Sequence, residues 1–194
     1  MAIQLERHLI TLEEFERMVE AGVFDEDARL ELIRGEIVEM APIGFPHEMC
    51  VARLTELLAT FTRGIALVWP QNNSIRLAGK SRPQPDLTIL RQRDDYSTDK
   101  PPTAQDVLLV IEVSETSINY DRSVKKPLYA EAGIPEYWLV NLRDGVIEIY
   151  ANPAEGAYKL TRNAKPGETL ALPSPLKGAI EVSEILGEAG DKKT

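Results

Sequence analysis

Residues 107–113 read Val-Leu-Leu-Val-Ile-Glu-Val, and this stretch limits the fold more strongly than any other. Six of its seven positions are Val, Leu or Ile. A short apolar run without polar alternation is a strand buried on both faces, as in the middle of a sheet covered by helices. Glu112 interrupts the run. A carboxylate in such a strand costs several kcal/mol unless it is paired or holds a cation. The fold and the function of the chain meet in the question of what compensates Glu112.

The flanking segments place that strand in a mixed α/β architecture, a central sheet with helices packed on it. "TLEEFERMVEAG" (11–22) predicts an amphipathic helix with Thr11 as N-cap, Glu14 closing a capping box and Gly22 ending it. "RLELIRGEIVEM" predicts two short strands around an Arg34-Gly35 turn. In 47–64, Val51, Leu54, Leu57, Leu58 and Phe61 recur at helical spacing, and Gly64 stops the helix. "IALVWP", "SIRLA" and 86–90 predict strands, the last entered through two prolines that keep it extended. A helix near 122–132 and a strand at 136–141 follow, which predicts a right-handed parallel crossover. Pro127 suits a helix start, so the helix is expected to begin close to Lys125 and Lys126. "GVIEIYA", "AYKLTR", "ETLAL" and "GAIEV" predict antiparallel strands. A terminal helical turn in "VSEILGEAG" and a frayed "DKKT" complete the chain. With 194 residues and no repeat or low-complexity linker, we expect residues 1–194 to form one domain.

Composition narrows the function classes. The chain carries 31 acidic against 22 Lys and Arg residues, a net charge of −9. That balance argues against a general nucleic-acid coat but suits clustered carboxylates that wait for a metal. Cys50 is the one cysteine, so no internal disulfide forms, and it reads as a small buried hydrophobe. No apolar run approaches the roughly 20 residues of a membrane span, and the N-terminus lacks a signal-peptide core. A cytoplasmic location is the expectation.

Asp86 and Glu112 each lie on or at the mouth of an apolar strand. If the strands are neighbours, the carboxylates meet at one sheet edge, where two acids repel unless a proton or a cation lies between them. Mg²⁺ takes one or two carboxylates, several waters and a phosphate oxygen. From the residues alone, Asp86 reads equally as a turn acid after proline, and Glu112 as a strand-end residue that reaches solvent. Lys125 and Lys126 read either as a source of positive charge over the sheet edge or as a solvated pair. Gln71, Asn72 and Asn73 read as turn chemistry, and Tyr137 and Trp138 as core.

"PDLTIL" (85–90), "VIEVSETS" (110–117), "YDRSVKKPLYAEAGIPEYWLVN" (120–141) and "LELIRGEIVEMAPIGFPHEMCVARL" (30–54) together resemble the Uma2 family. The resemblance implies a PD-(D/E)xK, restriction endonuclease-like core and a metal-dependent nuclease. Residue by residue, Asp86 matches the acid after proline and Glu112 the acid of the (D/E)xK element. The lysine expected two residues on is absent, because position 114 is Ser114; Lys125 in the following helix takes the matching place. Asp121 and Tyr129 match the same helix. Lys126, about 100° round a helix, is the weaker candidate. Glu31 matches a further acid and reads evenly as a third carboxylate of the site or as a strand position facing water. His47 matches a recurrent histidine that either contacts phosphate or is structural.

The resemblance therefore implies catalytic Asp86, Glu112 and Lys125, with Mg²⁺ or Mn²⁺ on Asp86 and Glu112 and DNA as the substrate. Cutting both strands of a duplex needs two sites related by symmetry, which makes a homodimer the expectation. The alternative is a catalytically silent relative used as a binding or oligomerisation module, which the acidity and the lack of a basic stripe favour.

Overall fold

The computed structural model describes residues 7–25, 27–71, 73–95 and 100–187; the expectations for Asn72 and "DKKT" lie outside them. Its centre is a six-stranded sheet in the order β3-β4-β5-β6-β7-β8. The strands are β3 (Ala66–Pro70), β4 (Leu87–Arg91), β5 (Val107–Ser114), β6 (Glu136–Asn141), β7 (Val146–Ala154) and β8 (Ala157–Ala164). Only β5 and β6 run parallel; every other pairing is antiparallel. The parallel pair is joined by the helical crossover that the strand–helix–strand pattern requires.

All eight residues of β5 are buried, because both faces of the strand are covered. Leu109, Ile111 and Val113 join one core with Leu54 and Leu58 of helix α2 (Phe45–Thr62). Val110 joins the other core with Leu128, Tyr129 and Tyr137. Period two then sends Glu112 and Ser114 to this second side, toward the crossover helix. Each fully buried aliphatic side chain contributes about 1.5–3 kcal/mol. Trp138 and Tyr137 are both fully buried, and Cys50 lies on the inner face of α2 with its thiol pushed up to about 12 by burial.

The smaller elements set the rim of this centre. Helix α1 (Leu12–Glu20) is capped reciprocally by Thr11 and Glu14. The hairpin of β1 (Leu30–Ile33) and β2 (Glu36–Glu39) turns through Arg34 and Gly35, both at positive φ. A Cβ on Gly35 would stand 2.7 Å from the Cβ of Leu9, so packing as well as the turn demands glycine. Arg34 reaches Glu131 at 2.7 and 2.9 Å, and Leu32 exchanges backbone hydrogen bonds with Arg82. The Arg34–Glu131 pair ties the hairpin to the crossover helix, and the Leu32–Arg82 bonds tie it to the segment that leads into β4. β9 (Thr169–Ala171) and β10 (Ala179–Glu181) form a separate pair, followed by helix α5 (Val182–Leu186).

Two local expectations are corrected. "SIRLA" does not form a strand: Leu77 bonds back to Ser81 across the Gly79 turn, and only isolated bridges remain. The crossover helix does not begin near Lys125. It opens as α3 (Ile118–Tyr120), widens into a π-helical turn over Asp121–Lys125 and finishes as α4 (Lys126–Glu131). The amide of Lys126 reaches back five residues to the carbonyl of Asp121. Pro127 has no N–H and would crowd a carbonyl four residues back, and the wider turn just before it relieves both problems.

Candidate active site

A cleft of about 280 Å³ opens where the hairpin, α2, the end of β5 and the crossover helix converge. Asp86, Glu112, Glu31, His47, Asp121 and Lys125 all line it, and all are buried. Asp86 directly precedes β4, and Glu112 lies near the end of the neighbouring, antiparallel β5. The Asp86 carboxylate stands in for a missing ladder partner: its Oδ2 accepts the Val113 amide at 2.8 Å. The same oxygen accepts from His47 Nε2 at 3.0 Å, and Oδ1 accepts from Gln71 Nε2 at 2.9 Å.

Lys125 joins the other acids. Its Nζ donates to Glu31 Oε1 at 2.9 Å and to Glu112 Oε1 at 3.0 Å, with the side chain almost wholly buried. Tyr129 donates its hydroxyl to Glu112 Oε1 at 2.6 Å. Asp121, Lys125 and Tyr129 are four residues apart, and the π-helical turn keeps that spacing closer to a straight line than a regular helix does. Glu31 is 2% exposed, so of its two sequence readings the one that faces water is corrected; Gln84 N also donates to it at 2.7 Å. Ser114, where the lysine of the nuclease pattern would stand, bonds Ser117 at 2.9 Å, and Ser117 donates to Asp121 at 2.8 Å. Lys126 faces away, with its Nζ 4.9 Å from the Tyr150 ring centroid.

The charges in the cleft do not balance. Four buried carboxylates share one lysine. Burial raises Glu112, Lys125 pulls it down, and Asp86, Asp121 and Glu31 push it up again, which together leave it at about 8. Burial also raises Asp121, against Lys125 and the two serines. Burial pulls the Lys125 ammonium down, but Glu112, Glu31 and Asp121 outweigh it and hold it well above the ordinary lysine value. Burial is the largest cause for both acids, and for Lys125 the surrounding carboxylates outweigh it.

The free valences of the acids fit a small hard cation. Asp86 Oδ2 and Glu112 Oε1 each already take two donors, which fills their lone pairs. Asp86 Oδ1 takes one, and among the described residues no hydrogen bond reaches Glu112 Oε2. The remaining lone pairs belong to both cleft acids. Among the described residues no three His, Cys, Asp or Glu side chains form a preformed cage. A pair of carboxylates completed by water is how Mg²⁺ is ordinarily held. Two further polar atoms on cleft-lining residues, His47 Nδ1 and the Tyr120 hydroxyl, are buried with no hydrogen-bond partner among the described residues.

Sequence reasoning missed Gln71. Read as turn chemistry, it instead follows Pro70, which pairs with Leu87, so the antiparallel register brings it opposite Asp86. Asn73 does perform turn chemistry, with its amide on the Pro70 carbonyl at 3.0 Å. The burial of the Tyr120 hydroxyl near Glu31 had no signal in the sequence.

Over residues 12–183 the chain matches the model of the Uma2 family, described as "Putative restriction endonuclease". A solved structure from Anabaena variabilis ATCC 29413, titled a "putative nuclease belonging to DUF820", superposes with a TM-score of 0.68 at 15% identity. The match covers 91% of this chain and 97% of that one, and at this identity it establishes the fold. No curated protein matches the chain. Among the described residues no helix is long and apolar enough to cross a membrane.

Proposed function

The chain belongs to the Uma2 family, and on that premise we propose that it hydrolyses phosphodiester bonds of DNA with Mg²⁺ or Mn²⁺ held by Asp86 and Glu112. The observation that carries this reading is the charge deficit: four buried carboxylates face one cleft with a single lysine among them. A divalent cation there supplies Lewis-acid polarisation of a phosphate oxygen and a water made more acidic. The protein's own groups do the rest. His47, Gln71 and the Val113 amide fix the Asp86 carboxylate in one orientation. Glu31, anchored by the Gln84 amide, and Glu112 fix Lys125. Two of the three ammonium protons are thereby used, and the third is free to donate to a phosphate oxygen as its charge grows. Because its carboxylate neighbours hold Lys125 charged, it acts as a fixed donor and not as a proton shuttle.

The expected result is nicking of supercoiled plasmid by the parent protein in Mg²⁺ or Mn²⁺, with a loss of at least roughly 100-fold in Asp86→Ala. Equal rates for the two proteins would remove Asp86 from the site. The homodimer belongs to this proposal only for a duplex cut on both strands. One observation favours the silent binding module instead: among the described residues Arg29 is the only lysine or arginine besides Lys125 to line the cleft, while Glu39 and Glu115 add to the four buried acids. That reading predicts no cleavage by the parent under any divalent cation.

A further inference from the structure

The cleft wall holds one arginine, and that arginine is not spent on an acid. Arg29 directly precedes β1, and its carbonyl accepts the Met40 amide at 2.9 Å, which extends the hairpin ladder by one pair. Residues two apart on such a ladder share a face. Glu31 turns into the cleft, where Lys125 and the Gln84 amide meet it. Arg29 shares that face at the open end of the hairpin, and Val38, which pairs with Glu31, lines the cleft with it.

Six acidic residues line the same cleft: Glu31, Glu39, Asp86, Glu112, Glu115 and Asp121. Among the described residues Arg29 pairs with none of them. Its side chain makes one hydrogen bond, from Nη1 to the Ala41 carbonyl at 3.5 Å. The other lining cation among the described residues, Lys125, already donates to Glu31 and Glu112. A guanidinium has five N–H donors in a planar fork that matches the oxygens of a phosphate. Most of that fork is uncommitted in Arg29, which is half-buried and therefore still reachable from solvent.

The acidity of the chain limits what this arginine can hold. Proteins that track a nucleic-acid backbone neutralise many phosphates with Lys and Arg. Here the net charge is −9, and the described cleft wall offers a single guanidinium. The arrangement suits one phosphate and opposes a run of them.

We propose that Arg29 anchors the substrate through one phosphate group at the rim of the cleft, so that the substrate class is a phosphodiester held by that phosphate, a strand end or a short oligonucleotide, and not a duplex gripped along its length. The proposal rests on the phosphodiester-hydrolysis reading above and names the substrate class of that site. Arg29 makes the same contact before and during the reaction, so it contributes to binding and not to the chemical step. Lys125 has the opposite signature, a loss in kcat.

Binding is measured at fixed CaCl₂ while NaCl is raised from about 50 to 200 mM, with two ligands, a single-stranded deoxytetranucleotide and a long duplex. The proposal predicts a slope of log K against log[NaCl] near −1 on both, because each neutralised phosphate adds about −0.7 to −0.9. Arg29→Ala should bring the slope near zero and weaken binding roughly tenfold or more. It should keep the parent's melting temperature, since only the bond to Ala41 is lost. Arg29→Lys should keep the slope. In cleavage, Arg29→Ala should raise KM and leave kcat near the parental value. The anchor is overturned if Arg29→Ala keeps the parent's slope and affinity, or if it lowers kcat and melting temperature in place of raising KM. A parental slope steeper than about −2, or a parent that binds neither ligand, overturns it as well. Arg29-dependent binding without cleavage sinks hydrolysis and leaves the anchor standing, whereas cleavage with a KM indifferent to Arg29 sinks the anchor alone.

Discussion

Two buried glutamates stand on the same side of the sheet, two strands apart, and are served by the same kinds of partner. Glu112 on β5 accepts from the Tyr129 hydroxyl and from Lys125; Glu148 on β7 accepts from the Tyr150 hydroxyl and from Arg122. Both cations come from the one π-helical turn. The outcomes are opposite. Burial pulls Glu148 upward, but Arg122, Tyr150 and Asn141 together hold it below the ordinary glutamate value. Burial leads the causes that leave Glu112 at about 8, and three neighbouring carboxylates compete for its lysine. Arg122 gives its planar fork to one acid, while Lys125 is a point charge shared between two. Glu148 is a balanced pair that ties the helix to the sheet. Glu112 is as little exposed to solvent but lies deeper, with its charge left in deficit, and the proposed cation site rests on that imbalance.

The largest effect should come from removing the two cations in turn. Lys125→Ala leaves Glu31 and Glu112 without their shared partner and should cost about 3–5 kcal/mol in denaturant unfolding. It should also lower cleavage by roughly 100- to 1,000-fold while cation binding persists. Arg122→Ala strands a glutamate that keeps two hydrogen bonds, and the arginine lost is itself part-exposed, so the change should cost about 1–3 kcal/mol. Cleavage should hold near the parental rate once folding is corrected for. Equal losses of activity in the two variants would erase the contrast between the sites.

A smaller effect lies in the pH dependence of stability. Glu112 in the folded state binds its proton up to about 8, against 4.5 ordinarily, so the native protein holds more protons than the unfolded chain between those values. Stability should therefore fall as pH rises through that window, and Glu112→Gln should flatten the slope. Glu148 is shifted the other way, and its contribution is present above the ordinary value and lost as pH falls below it. Glu148→Gln should leave the neutral slope alone and soften the acid limb. Thermal melts across pH without added metal separate the two; a neutral slope that survives in Glu112→Gln would place the titration elsewhere.

How much of this was legible in the sequence follows from range. The buried strand, the Arg34-Gly35 hairpin and helix α2 are written in local periodicity and turn chemistry, and so is the sharing of one face by Glu112 and Ser114. Asp86 and Glu112 stand out in the sequence as carboxylates on apolar strands, whereas their assignment to one catalytic set and the choice of Lys125 over Lys126 entered through the family resemblance. The charge deficit was not legible, because it depends on the hairpin carrying Glu31 over the helix, 94 residues from Lys125. Gln71 beside Asp86 and Arg122 beside Glu148 are consequences of strand register and helix placement. The π-helical turn did leave a trace, a proline inside a continuing helical pattern, but Pro127 reads more simply as a helix start.

The central claim is that Glu112 is in deficit and Glu148 is not, and a cation titration tests it most directly. Melting temperature is followed as Mn²⁺ is added to the parent, to Glu112→Gln and to Glu148→Gln. A ligand of the native state stabilises by RT ln(1 + [L]/Kd), about 2.7 kcal/mol at a hundredfold excess over Kd. The account predicts that the parent and Glu148→Gln rise together by that kind of increment while Glu112→Gln stays flat. A rise of the same size in all three proteins, or one lost only in Glu148→Gln, would contradict it.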